Sequence, residues 1–143
     1  LVLVVKKGSK YANATSLADF SGAKVTAQLN TFHYSVIDQI PGVDKQTAMD
    51  NFPAMRVALQ SGTIDAYVSE LPEAISAQAA NSDFVMVKLT DGFKTSPEDT
   101  QTAVGVRKDS SLTKEINEAL KTISSEERQQ IMQEAIKNQP AAE

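Results

Sequence analysis

The feature that most constrains this chain is an alternation of short β-branched runs with helical stripes, broken by Gly or Pro at many of the joins. Leu1 to Lys6 is aliphatic and ends at Lys7-Gly8-Ser9, a strand followed by a turn. Ser16-Leu17-Ala18-Asp19 has the spacing of a capped turn stopped by Gly22, and Lys24 to Leu29 reads as a second strand. Phe32, Val36, Ile37 and Ile40 form a helical stripe that Pro41-Gly42 ends. Lys45 to Asp50 is extended in character. Asp50 or Asn51 can cap a helix with Pro53 in its first turn, running to Gln60 and stopped by Gly62. Ile64 to Ser69 is a strand, Pro72 to Ala80 a helix, Phe84 to Leu89 a strand, Asp91 to Asp99 a polar loop and Gln101 to Val106 a further strand. Leu112, Ile116, Ala119, Leu120 and Ile123 share one helical face. A capping box at Ser124 to Glu127 opens a second stripe, Ile131, Met132, Ala135 and Ile136. Gln139 to Glu143 reads as a frayed end or linker.

This order predicts an α/β domain with a mostly parallel sheet, in which ligands bind beyond the carboxyl ends of the strands, near helix N-termini. Composition narrows the chemistry. A chain of 143 residues supports one hydrophobic core, and a second independent core is not expected. The formal charge is -4 and the three arginines, Arg56, Arg107 and Arg128, are scattered, so nothing marks a nucleic-acid partner. No apolar run approaches the roughly 20 residues that span a bilayer. Without cysteine, and with His33 as the single histidine, thiol nucleophiles and a multi-histidine metal site are excluded within the chain. Leu1 opens directly in a strand-like run with no leader ahead of it, so the chain is expected to be a fragment or a processed product.

Two strand ends carry candidate chemistry. Gln28-Leu29-Asn30-Thr31-Phe32-His33 lies where a strand turns into a helix, and backbone N–H groups with the Thr31 hydroxyl would suit a carboxylate. The plainer reading is that Asn30 or Thr31 caps the helix. Tyr67-Val68-Ser69-Glu70-Leu71-Pro72 places a carboxylate at the end of a strand and the start of a helix. Glu70 can face the helix dipole there, or project into a cleft and pair with an ammonium group. His33 completes no catalytic triad and reads as a partly buried or solvated helix residue. Asp65 and Glu70, five apart at a strand, point to opposite faces and do not form an acid–base pair. The acidic residues of the C-terminal stretch read as a solvated helix face.

The order of segments resembles the family 3 extracellular solute-binding proteins of polar amino-acid ABC transporters, which have the type II periplasmic-binding-protein fold. Leu3-Val4-Val5-Lys6-Lys7 is similar to the strand that crosses between the two lobes. Ser16 to Val25 resembles the family's S-L-x-D-L-x-G-K-x-V, with which the second lobe begins. Gln28-Leu29-Asn30-Thr31 stands where a small residue or Gly followed by Thr is usual. Met55 to Ser69 is similar to M-x-x-A-L-x-x-G-x-I-D-A-x-V-x, followed by an acidic residue and Pro. Gln101 to Lys108 resembles the second crossing strand, with the helix Leu112 to Ile123 after it.

The resemblance implies a three-layer α/β/α lobe of a two-lobed clamshell that closes over a free, polar amino acid, with no cofactor, metal or catalytic residue. Residues 1–7 would be the inter-lobe crossing strand, 8–103 the second ligand-binding lobe, and 104–143 the second crossing strand with helices returning to a first lobe that precedes Leu1. Thr31 and the N–H of Phe32 would hold the α-carboxylate, Glu70 the α-ammonium, and Gln28 and Ser69 would border the side-chain pocket. Asn30 departs from the usual Gly and Glu70 from the common Asp. The first lobe would supply an aromatic platform and a carboxylate-clamping arginine. Neither Arg56 nor Arg107 stands at a matching position. The implied role is the substrate-binding component of an amino-acid ABC transporter, not an enzyme. It would lie outside the cytoplasm, at the cell surface or in the periplasm, held to the membrane by a lipid anchor or by fusion to a permease. Its partners would be that permease and the first lobe, and a homodimer is open to the fragment alone. The alternatives on the same fold are a ligand-sensing domain of a membrane receptor and a dehydratase-like enzyme.

Overall fold

The unbroken apolar character of Val2–Lys6 (β1) has a structural cause: both faces of this strand are covered. In the computed structural model, which describes residues 1–138, Leu3 and Val5 enter one hydrophobic cluster and Val2 and Val4 another. That division follows from the two-residue period of a strand. The other strands are Lys24–Thr26 (β2), Asp44–Lys45 (β3), Ala66–Ser69 (β4) and Phe84–Val87 (β5), and together they form one sheet of order β3-β2-β4-β1-β5. The strand β1 is antiparallel to both of its neighbours, whereas β3, β2 and β4 pair in parallel. Four strands therefore run one way and β1 runs against them.

Helices cover both faces, giving three layers. On the Leu3 side lie a 3-10 turn at Leu17–Phe20 and the short helix Phe32–Val36 (α1), which continues as a 3-10 turn at Ile37–Gln39. These contribute Phe20, Val36 and Ile37 to the cluster around Leu3 and Val5. On the Val4 side, Phe52–Ser61 (α2) and Leu71–Ala80 (α3) contribute Met55, Leu59, Ala74 and Ala77. The start of α2 is capped by Asn51, whose side chain accepts the Ala54 N–H at 2.9 Å, and Pro53 sits where a missing N–H costs little. Gly62 ends it at φ 79°, a left-handed turn that a Cβ would disfavour.

The chain divides into two compact units, Leu1–Ser96 and Pro97–Glu143. The sheet belongs to the first. The second holds Pro97–Thr100 (α4), Leu112–Lys121 (α5) and Ser125–Lys137 (α6). Ser124 and Glu127 form a reciprocal capping box at the start of α6. Arg128 donates to the carbonyl oxygens of Leu120 and Ile123, which fastens α6 to the end of α5. No residue of α5 or α6 is buried. Among the described residues no helix is long and apolar enough to cross a membrane.

Three expectations of secondary structure are corrected by this structure. The stripe from Phe32 to Ile40 is not one α-helix: it tightens to 3-10 after Val36, and Ile40 is extended at φ -81°, ψ 116°, because the residue before a proline is pushed out of the helical region. The strand expected to reach Leu29 stops at Thr26, with a single further bridge from Gln28 to Met49. Gln101 to Val106 forms no strand and is exposed throughout, since a β-like composition has no ladder to join where no neighbouring backbone is presented. The segment read as a crossing strand, β1, lies inside the lobe's own sheet, between β4 and β5. Residues 139–143, expected to fray, lie outside the described residues.

The packing separates two apolar residues on the same helix. Leu59 is fully buried, whereas Val57 is 70% exposed. Leu59→Ala is expected to cost about 2–5 kcal/mol and Val57→Ala less than about 0.5 kcal/mol in urea denaturation of the chain. Equal losses would refute the assignment of α2's inner face.

Candidate functional site

The parallel pairing of β2 with β4 sets Val25 beside Ala66 and Thr26 beside Tyr67, so both strands leave the sheet at the same edge. From β2 the chain passes through Gln28 to Thr31 into α1, and from β4 through Glu70 into α3. The first connection is pinned to the segment after β3: the Leu29 N–H donates to the Met49 carbonyl at 2.8 Å, and Gln28 Nε2 donates to the Asp50 carbonyl at 3.2 Å. Asn30 adopts φ 60°, the left-handed conformation that asparagine tolerates better than most residues. That explains how the position usual for Gly is filled.

Thr31 is the N-cap of α1, yet its side chain makes no capping hydrogen bond. Its hydroxyl instead donates to the Gln28 carbonyl at 2.7 Å, which fixes the rotamer and leaves the oxygen as an acceptor. Phe32 and His33 supply the first two N–H groups of α1, which have no acceptor within the helix. The plainer reading, that the Thr31 side chain caps the helix, is therefore not what the geometry shows.

Glu70 occupies the N-cap of α3, and it too makes no side-chain capping bond; its side chain is 61% exposed. Ser69, one residue earlier, is fully buried. The strand period carries Ser69 to the face of Tyr67, under α2 and α3, and turns Glu70 to the opposite face, where α1 lies. Ser69 Oγ donates to Glu73 Oε2 at 2.6 Å. The other oxygen of Glu73 accepts from Arg56 Nε at 3.0 Å and Nη2 at 2.7 Å, and lies 3.4 Å from the Tyr67 hydroxyl. Burial, with the Glu73 carboxylate beside it, pushes the Tyr67 phenol well above its ordinary range. Arg56 is thus committed to a mostly buried pair between α2 and α3.

His33 was expected to be partly buried or solvated, but it is 3% exposed. Neither ring nitrogen has a hydrogen-bond partner, and Nε2 lies 3.7 Å from Glu70 Oε1. Burial lowers its pKa below the ordinary 6.5; Glu70 acts to raise it, and the amino group of Leu1 to lower it further. This contact joins the start of α1 to the start of α3. Of the six candidate residues, Gln28, Asn30, Thr31 and Phe32 line one connection, Glu70 stands at the start of the other, and Ser69 is turned inward. Sequence reasoning missed His33 and Glu73 as the neighbours of Glu70 and Ser69. The signal available was the strand period, which assigns Ser69 and Glu70 to opposite helix layers. Among the described residues no group of three His, Asp or Glu could hold a metal.

No protein-family model matches the chain and no curated protein does, but solved structures do. An amino-acid ABC transporter substrate-binding protein from Streptococcus pneumoniae, bound to L-arginine, aligns at TM-score 0.76 and 24% identity over 95% of this chain and 56% of its own. This is the fold of amino-acid ABC transporter substrate-binding proteins. An ancestral arginine-binding protein bound to glutamine aligns at TM-score 0.61 and 30% identity, over 85% of this chain and 52% of its own. Domain 2 from TmArgBP aligns at TM-score 0.55 and 26% identity, over 62% of this chain and 97% of that domain. The chain spans about half the length of the two complete binding proteins. These neighbours are binding proteins rather than enzymes. On the binding-protein fold, the edge bearing Thr31 and Glu70 is the carboxyl end of the parallel strands.

Two measurements check this geometry. Removing Glu73 strands Arg56 in a poorly hydrated pair, so Glu73→Ala is expected to cost about 3–5 kcal/mol, and Glu70→Ala less than about 1 kcal/mol, in urea denaturation. A folded-state pKa held below 6.5 at His33 means that the unfolded chain takes up the proton first. Stability is therefore greatest above pH 6.5 and is lost as pH falls from 6.5 toward the lowered folded value. Urea midpoints across that window should drop for the native chain and drop less for His33→Gln; parallel curves would refute it.

Proposed function

We propose that this chain is the second lobe of an amino-acid-binding protein, with helices that return to a first lobe, and that the whole protein captures a polar amino acid for an ABC transporter. The observation that carries the reading is Glu70: an exposed carboxylate at a strand's carboxyl end, free of its own helix, and 3.7 Å from His33 in the first turn of α1, the helix that Thr31 precedes. A zwitterion needs an anion and a set of hydrogen-bond donors presented together, and this edge supplies both. Thr31 and the Phe32 N–H take the α-carboxylate, where the start of α1 favours negative charge. Glu70 takes the α-ammonium. Gln28 and Asn30 border the side chain, and Ser69 supports Glu70 from within rather than touching the ligand.

Arginine and glutamine, the ligands of the aligned neighbours, are the first candidates. One lobe holds half of such a cage, so the chain alone should bind weakly. In the two-lobed protein, closure adds contacts from the first lobe, and the ligand shifts the open–closed balance because only the closed state makes both sets. The crossing role of residues 1–7 and the return of α5 and α6 to the first lobe belong to the same proposal, as do a permease partner and a place outside the cytoplasm. Domain 2 from TmArgBP, 97% of which aligns with this chain at TM-score 0.55, supports a lobe that stands as a unit.

Titration calorimetry of the complete two-lobed protein with L-arginine and L-glutamine tests the reading. One of them should bind, Glu70→Ala should weaken it by about 2–5 kcal/mol, and Thr31→Val by about 1–3 kcal/mol. Binding that neither substitution alters would remove this edge from the site.

A further inference from the structure

The ring of His33 is buried with both nitrogens unpartnered, at the one point where α1 meets the candidate ammonium-binding carboxylate. Its side chain is 4% exposed, and the Phe32 ring covers it at a centroid distance of 4.5 Å. An unsatisfied buried imidazole carries a desolvation penalty that a partner would relieve. The nearest candidate is Glu70 Oε1 at 3.7 Å, just beyond hydrogen-bond reach and attached to a side chain that is 61% exposed. Glu70 makes no bond to its own helix, so it is free to swing inward. The charged groups acting on the ring are this carboxylate, from the start of α3, and the amino group of Leu1, from the start of β1.

We infer that His33 is a positioning residue for Glu70: as neutral imidazole it leaves the carboxylate to an incoming ammonium group, and as imidazolium it draws the carboxylate inward and repels that ammonium, so that a free amino acid is held more weakly in acid. The inference rests on the assignment of Glu70 to the ligand's ammonium. Proton and amino acid then compete for one carboxylate, and the competition is reciprocal: each binds less well when the other is present. Above pH 6.5 the ring is mostly neutral, and affinity depends on it little. The dependence is confined to the acid side of that value, because burial opposes protonation while Glu70 favours it.

His33 is the single histidine, so its ring resonances report its protonation without assignment. Proton NMR titration of the 143-residue chain should show a lower His33 pKa in Glu70→Gln than in the native sequence; an unchanged pKa overturns the coupling. Calorimetry of the two-lobed protein with L-arginine and L-glutamine at pH 7.5 and 5.5 reads the consequence. Affinity should fall between these values, by less than about fivefold for roughly one pKa unit of coupling because the free-protein value lies below 6.5, and His33→Gln should remove most of the fall. Equal falls in the native protein and His33→Gln overturn the inference and leave the binding assignment standing. Failure of the native protein to bind either amino acid at both pH values overturns the binding assignment and this inference with it.

Discussion

The parallel pairing of β2 with β4 is the constraint on which the rest of the candidate site depends. It brings two strand ends to one edge, from which each connection leaves toward a different helix layer. A single peptide step then divides the chemistry. Ser69 continues the Tyr67 face and is carried under α2 and α3, while Glu70 falls on the face of α1. A register slip of one residue would exchange them, burying the glutamate beneath Glu73 and offering a serine to the cleft.

Two carboxylates lie three residues apart on this stretch and have opposite fates. Glu73 is saturated: both nitrogens of an Arg56 fork, the Ser69 hydroxyl and the Tyr67 phenol are arranged around it. Glu70 has the His33 ring within 3.7 Å and open surroundings otherwise. A carboxylate that already holds a guanidinium in a drained setting has no capacity for a second cation, whereas one in water with a buried neutral ring beside it does. The saturated residue also stiffens the platform. By joining α2, α3 and the end of β4, it holds the peptide from which Glu70 projects.

Much of this was legible in the residue pattern. The β1, β4 and α2 spans, the Asn51 cap and the Gly62 stop all follow from local rules that tertiary structure did not override. The edge bearing Thr31 and Glu70 followed from strand–helix alternation. What escaped the sequence was whatever depends on contacts that propensity and periodicity do not report. Gln101 to Val106 has the composition of a strand but no ladder, and no local signal reports that. Thr31 looks like a cap and is not one, because its hydroxyl is drawn back to the Gln28 carbonyl. Arg56 could not be placed from its neighbours in sequence, since its partner lies across a helix–helix contact. The Phe32 ring lies against His33 at a centroid distance of 4.5 Å, a side-chain contact that helical periodicity does not contain.

The inner position of β1 has a further consequence, for how the lobe assembles. Its two partners lie at Ala66–Ser69 and Phe84–Val87, so every ladder hydrogen bond it makes is non-local. The chain must close loops of some sixty to eighty residues before β1 gains either edge, which is the kind of topology that folds slowly. On a ribosome, Val2 to Val5 would emerge well before β4 exists, an adhesive apolar strand with no sheet to join. Misassembly would begin at such a segment if β4 arrived late.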